Sequence, residues 1–266
     1  MISKNYFDDP LSGRKEKPRN VGQTMVLDKG LGMNNITDLL SCGGEYIDYV
    51  KFTFATALLY PESILRRKVL FIRENEIEVY TGGTFFEIAV FQNKLREYLQ
   101  WLKSMNFTAV EISDGTIELS KEKRKKAIEM AKDMGFVVLT EVGKKDKKKS
   151  LNVDEIIDLI NFDLDSGADK VIIEARESGK NISIFKENGD PKLNSFELIK
   201  NKFNDKLNKI IWEAPLKKQQ LFFINSIGNN VNLGNIATTD VIALEGLRRG
   251  LRGDTFAEIL KDEKNT

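Results

Sequence analysis

Eight short runs rich in β-branched and apolar residues recur along this chain, each followed by a longer segment with helical periodicity. This alternation limits the fold more than any other feature of the sequence. The runs are 25–27, 46–50, 77–80, 109–112, 136–139, 170–173, 209–212 and 230–233. Between them, Thr84-Phe-Phe-Glu87 has capping-box spacing ahead of an apolar-periodic stretch reaching about residue 103. Asn152-Val-Asp-Glu155 repeats that spacing before Ile156. Pro61 suits the first turn of a helix, and Gly135 and Gly167 stand where helices stop before the next strand. Eight β/α alternations in 266 residues predict an α/β protein with one closed (β/α)8 TIM barrel over 21–266, a domain type that typically needs about 250 residues. An open doubly wound sheet would carry a glycine fingerprint after its first strand, and Gly30-Leu31-Gly32-Met33 does not match G-x-G-x-x-G. Residues 1–20 read as a polar arm, either disordered or covering the barrel bottom or a neighbouring subunit.

Composition narrows the chemistry such a barrel can perform. The chain has no histidine, which excludes Ser-His-Asp and Cys-His nucleophiles, His-ligated zinc and a histidine proton shuttle. Acid/base work must fall to Lys, Asp, Glu or Tyr. A single cysteine, Cys42, rules out an intramolecular disulfide; it precedes the second strand and reads as packing or inert. With no apolar window of about 18–20 residues and no signal-like apolar segment in 1–20, a cytoplasmic protein is expected, with neither membrane nor secretion. The 41 basic and 40 acidic side chains argue against an extended nucleic-acid surface, which needs a net basic face.

Barrel chemistry sits at the C-terminal ends of the strands, so the residues closing each run are the informative ones. They read Asp28-Lys29, Lys51, Thr81-Gly82-Gly83, Glu111-Ile-Ser-Asp-Gly115, Glu141-Val-Gly-Lys144, Glu174-Ala-Arg-Glu-Ser-Gly179, Glu213 and Gly234-Asn235. A ring of carboxylates in one mouth repels itself unless a cation or paired lysines and arginines are present. Oxygen ligands without His or Cys select a hard cation, Mg2+ first. Lys29, Lys51, Lys144 and Arg176 then supply positive charge for an anionic substrate, a small phosphorylated carboxylic acid. The alternative is a salt-bridged rim without function. Gly82-Gly83 either admits a ligand closely or forms a tight turn. Gly234-Asn235, read as following the last strand, is placed for phosphate on backbone N–H groups. The run Lys121-Glu-Lys-Arg-Lys-Lys126 reads as a solvated helix face, and the lysines after Lys144 as loop. In Leu247-Arg-Arg-Gly-Leu-Arg252 the arginines cap, pair or reach a subunit contact. The stretch 179–194, with Asn188-Gly189 as a turn signal, is either a short hairpin lid or a surface excursion.

Taken in order, Asp28-Lys-Gly-Leu-Gly32, Tyr80-Thr-Gly-Gly-Thr84, Glu111-Ile-Ser-Asp-Gly115, Glu141-Val-Gly-Lys-Lys145, Glu174-Ala-Arg-Glu-Ser-Gly179, Glu213-Ala-Pro215, Asn232-Leu-Gly-Asn-Ile236 and Leu247-Arg-Arg-Gly-Leu-Arg-Gly-Asp-Thr255 resemble the phosphosulfolactate synthase family of coenzyme M biosynthesis. The sequence departs from that family at Thr53 and Ala55, where glycines are usual. The resemblance implies a (β/α)8 barrel and Mg2+-dependent addition of sulfite to C3 of phosphoenolpyruvate, giving (2R)-phospho-3-sulfolactate. It implies Lys144 as the general acid and Lys51 as a second catalytic residue, and Glu111, Glu141 and Glu174 as metal ligands, with Asp28 and Glu213 as competitors. Lys29, Lys51, Arg176 and Ser178 would hold substrate charges, and Gly234 and Asn235 the phosphate. A homo-oligomer is expected. Two rivals remain at this stage: a barrel lyase using a lysine Schiff base, and a non-catalytic interaction protein on the same fold.

Overall fold

The structure, a computed structural model, describes residues 6–144, 151–175, 177–180 and 184–264. Its strands are β1 (Thr24–Asp28), β2 (Tyr49–Phe52), β3 (Glu78–Thr81), β4 (Ala109–Ile112), β5 (Val137–Val142), β6 (Lys170–Ile173), β7 (Ile210–Glu213) and β8 (Leu233–Ala237). The helices are α1 (Met33–Gly43), α2 (Glu62–Glu74), α3 (Gly83–Phe91), α4 (Leu95–Ser104), α5 (Lys121–Asp133), α6 (Val153–Asp165), α7 (Leu193–Lys202), α8 (Lys217–Ile227), α9 (Val241–Arg248) and α10 (Gly253–Lys264). The strands are parallel in the order β3-β2-β1-β8-β7-β6-β5-β4. At the remaining seam Thr108 joins β3 to the start of β4, its N–H donating to Val79 O at 3.1 Å and its Oγ1 accepting from Val79 N at 2.9 Å. The result is a single (β/α)8 barrel, nearly closed.

Strand alternation divides the core in two. Outward-facing Val26, Val50, Val79, Val110, Val138 and Val171 are fully buried between sheet and helices, each worth roughly 1.5–3 kcal/mol over an exposed side chain. Inward-facing Met25, Leu27, Tyr49, Tyr80, Ala109, Leu139, Ile172 and Ile211 fill the barrel.

Several strands begin and end later than the sequence pattern indicates. The segment before β2 is a 3-10 turn at Gly44–Tyr46, and β8 starts at Leu233 rather than residue 230. Asp28, Lys51, Glu141 and Glu213 therefore stand inside their strands, at or near the end, and Gly234 and Asn235 lie within β8 rather than after it. The capping box at Asn152 is present in full, with Asn152 Oδ1 accepting from Glu155 N at 3.0 Å and Glu155 Oε2 from Asn152 N at 2.8 Å. The one at Thr84 is not. There the cap residue is Gly82 without a side-chain bond, because Glu87 turns inward to accept from Ser113 Oγ at 2.7 Å. The long stretch behind it splits into α3 and α4 at Asn93, whose φ is +57°.

Residues 6–20 form neither helix nor strand and run across the N-terminal end of the barrel. Arg14 pairs with Glu245 at 3.0 Å, and Arg19 pairs with Asp48, just before β2, at 2.7 Å. In the 179–194 stretch, Phe185 and Pro191 form an antiparallel bridge. Gln219 of α8 donates to Gly179 O and Gly189 O at 2.7 and 3.0 Å, so the described part of this hairpin is docked on α8. Among the described residues no helix is long and apolar enough to cross a membrane.

Candidate active site

Two residues beyond the apolar layer in the barrel, on the same inward face, every strand but three presents a charge. Tyr49 is followed by Lys51, Ala109 by Glu111, Leu139 by Glu141, Ile172 by Glu174 and Ile211 by Glu213. The period-2 repeat of a strand brings these five to one level. They line a cavity of about 500 Å³ at the C-terminal mouth, together with Leu27, Thr53, Phe54, Gly82, Gly83, Ser178 and Asn235. All five are buried.

Lys51 is the hub. Its Nζ stands 2.8 Å from Glu111 Oε2, 3.4 Å from Glu141 Oε2 and 3.7 Å from Glu213 Oε1. Burial works to lower its pKa, but Glu111, Glu141 and Glu213 outweigh it and hold the ammonium well above its ordinary value. One ammonium cannot balance four carboxylates. Burial accordingly pushes Glu111 and Glu213 each up to about 7 despite Lys51, and burial with neighbouring Glu141 and Glu213 raises Glu174 well above the carboxylate range. A site of this charge must take up protons or gain a cation.

Backbone features make room for these side chains. Gly83 N donates to Glu111 Oε1 at 2.6 Å, and a Cβ on Gly83 would stand 2.4 Å from Ser113 Oγ. Ala175 N donates to Glu213 Oε2 at 2.7 Å. A Cβ on Gly143 would meet Glu174 Cβ at 2.6 Å, and one on Gly234 would meet Met25 Cε at 2.7 Å. The glycines at these strand ends thus clear space for the protein's own atoms. Asn235 has a φ of +55°, which breaks strand alternation and turns its side chain to the cavity with Oδ1 buried and not hydrogen-bonded.

The structure brings together Lys51, Glu111, Glu141, Glu174, Ser178 and Asn235 of the residues singled out from sequence. Glu141 and Glu174 each offer an oxygen within 4.8 Å of the other and of Glu213, the competitor named above, while Glu111 lines the same cavity with its oxygens on Lys51 and Gly83 N. Asp28 does not line the cavity. It pairs with buried Lys68 of α2 and accepts from Gly30 N and Leu31 N at 2.9 Å, closing the turn after β1. Lys29 does not line the cavity and pairs with Glu177, which does. Lys144 also stands outside the lining, donating to the Asp114 backbone O at 2.7 Å and pairing with its carboxylate. Gly234 is walled in by Met25, Ile211 and Glu213 and does not reach the cavity. Arg176 and residues 145–150 lie outside the described residues. Cys42 is exposed on α1 rather than packed. Arg248 is fully buried, donating to Asn229 O and Val231 O at 2.6 and 2.7 Å, and Arg249 pairs with Glu245 and Asp9.

Fold and site together define a (β/α)8-barrel enzyme whose mouth is built on buried carboxylates around one lysine. The chain matches the family described as (2R)-phospho-3-sulfolactate synthase over residues 12–254. It is 50% identical over 240 residues to a phosphosulfolactate synthase of Methanocaldococcus jannaschii, covering 90% of this chain and 95% of that one. Identity to the Bacillus subtilis phosphosulfolactate synthase is 39% over 254 residues, covering 95% and 99%. The chain belongs to the phosphosulfolactate synthase family, enzymes of the carbon–sulfur lyase class. Among solved structures, the YdjI aldolase of Escherichia coli K12 superposes with a TM-score of 0.53 at 11% identity, covering 92% of this chain and 91% of that one, a likeness of fold alone.

Proposed function

We propose that this enzyme adds sulfite to phosphoenolpyruvate in a Mg2+-assisted reaction, giving (2R)-phospho-3-sulfolactate. The observation that carries the reading is the cluster of Glu141, Glu174 and Glu213 beside Lys51 in the cavity of a chain from this family. The three carboxylates offer an all-oxygen donor set suited to a hard cation. Their spread of up to 4.8 Å is close to the ~4 Å across a six-coordinate Mg2+. The bound ion would supply electrostatic stabilisation of charge developing on the substrate carboxylate.

The sulfur lone pair of sulfite attacks the C3 methylene, forming the C–S bond, and the C2–C3 π electrons move toward the carboxylate as an enediolate. A proton then returns to C2 and the phosphate ester stays intact. Lys51, its charge spread over three glutamates, holds the substrate's negative charge inside the cavity. Lys144 is assigned the protonation of C2: it stands at the rim on Asp114, two residues past the end of β5, and would reach C2 from outside the cavity lining. Asn235 Oδ1 and Ser178 are among the uncharged polar groups that line the same space, with Thr53 and Thr84. At Lys51 the Schiff-base alternative is disfavoured by the three carboxylates around its Nζ, since an ammonium held by Glu111, Glu141 and Glu213 is a poor nucleophile.

The test is to follow phosphoenolpyruvate with sulfite and Mg2+ by 31P and 13C NMR. Loss of the enol signals with a new C–S carbon is expected, and no consumption with or without metal overturns the reading. Lys144→Ala should lower kcat by ~10²–10⁴-fold while phosphoenolpyruvate still binds. Wild-type turnover in that variant, with loss in Lys51→Ala, would transfer the proton to Lys51.

A further inference from the structure

Within the lysine-rich first turns of α5, Arg124 differs from its neighbours. Lys121, Lys123, Lys125 and Lys126 are exposed, whereas Arg124 is 1% exposed. Its Nε and Nη2 donate to the two oxygens of Asp163 on α6, both at 2.6 Å. Nη1 donates to Asp114 Oδ1, in the loop after β4, at 3.2 Å, and Nη2 also donates to the backbone O of Glu141 in β5 at 3.0 Å. Asp114 in turn receives Lys144 on its other carboxylate oxygen.

We infer that Arg124 is a positioning residue for the active site. Anchored on α6 by Asp163, its planar guanidinium fixes the end of β5, which carries Glu141, and through Asp114 it fixes where the Lys144 ammonium stands. The inference rests on the reaction proposed above for the value of Glu141 and Lys144. The geometry needs arginine. Four bonds leave in three directions from one rigid fork, and a lysine ammonium, a single point of charge, cannot span Asp163, Asp114 and Glu141 O together. None of these contacts touches the cavity, so the effect reaches the chemistry only through the two strand ends.

The experiment compares wild type, Arg124→Lys and the exposed control Lys123→Ala. Kinetics with phosphoenolpyruvate, sulfite and Mg2+ are measured beside amide hydrogen exchange of segments 111–117 and 139–144. In Arg124→Lys, folded by circular dichroism, kcat should fall by ~10²-fold, the scale of a 1 Å misplacement, with KM for phosphoenolpyruvate changing far less and exchange quickening in both segments. A role confined to stability would lower Tm and leave kcat of the folded enzyme unchanged, which overturns the inference. If Arg124→Lys does not fold, Asp163→Asn carries the same test, since it loosens the anchor of Arg124 and leaves the Asp114–Lys144 pair in place. If the wild type does not turn over these substrates, the reaction is refuted, and the exchange data decide the positioning role alone: unchanged protection in both segments overturns it.

Discussion

Replacing Gly83 with alanine adds one methyl group at the point where α3 meets the carboxylate layer. The new Cβ would stand 2.4 Å from Ser113 Oγ, 2.7 Å from Ser113 Cβ and 2.8 Å from Glu111 Oε1. Those atoms must retreat by about 1 Å to reach van der Waals contact. Ser113 cannot move freely because its Oγ donates to buried Glu87 at 2.7 Å, and Glu111 is held by Gly83 N at 2.6 Å and by Lys51 at 2.8 Å. Overpacking of this kind costs roughly 1–3 kcal/mol. Gly83 is helical without a positive φ, so alanine recovers up to about 1 kcal/mol of helix propensity. The net loss is about 0–3 kcal/mol, at most roughly 12 °C in Tm. Activity should suffer more, by ~10²-fold in kcat, because Glu111 carries its displacement to Lys51. Gly253→Ala is the control: it also opens a helix, α10, and has nothing within 4 Å of the added Cβ. Calorimetry and the NMR assay on both variants decide. Gly83→Ala with the kcat of Gly253→Ala would refute the claim that this glycine exists to seat Glu111.

The metal assignment and one buried lysine give two further tests. Glu213→Gln should abolish tight Mn2+ binding followed by electron paramagnetic resonance, while Glu111→Gln should retain it, because Glu213 shares the three-carboxylate group with Glu141 and Glu174 and lies 3.7 Å from Lys51, whereas Glu111 is tightly paired with Lys51 at 2.8 Å; the reverse order would restore Glu111 as a ligand. Lys170, buried at the start of β6 and donating to Asn20 O and Asn208 O at 3.1 and 2.6 Å, has its pKa lowered to about 8, by burial first and then by Lys209. The unfolded chain therefore binds more protons between about pH 8 and 10.5, and this contribution to stability rises with pH across that window. Relative to Lys170→Met, the wild type should gain up to about 3 kcal/mol from pH 8 to 10.5 in urea unfolding. A difference that does not change with pH would contradict it.

Much of the barrel is legible in the sequence because strand formation is local. Residues 109–112 and 170–173 are read without error, since Ala-Val-Glu-Ile and Lys-Val-Ile-Ile carry their β-branched pattern within four residues. β8 is shifted because its inner residue is Gly234, a poor strand former chosen to fit beneath Met25 and Ile211, neither of which is near it in sequence. Glu213 was available from a signal that can be counted: like Lys51, Glu111, Glu141 and Glu174, it stands two residues past an inward apolar side chain. Arg124 had no such signal. It sits in a run of lysines, and its main partner, Asp163, is 39 residues away on the next helix.

By itself, then, the sequence determined an eightfold β/α alternation, a site without histidine and a set of acids and lysines at strand ends, because backbone periodicity and residue chemistry act over a few residues. Only the tertiary structure decided which charges share the barrel. Lys51 and Glu141 are 90 residues apart in the chain and 3.4 Å apart in the cavity, while Lys29 and Lys144 stay at the rim on acids of their own. The physical reason is that a buried charge is set by what surrounds it in three dimensions, and that surrounding exists only once β8 has closed against β1.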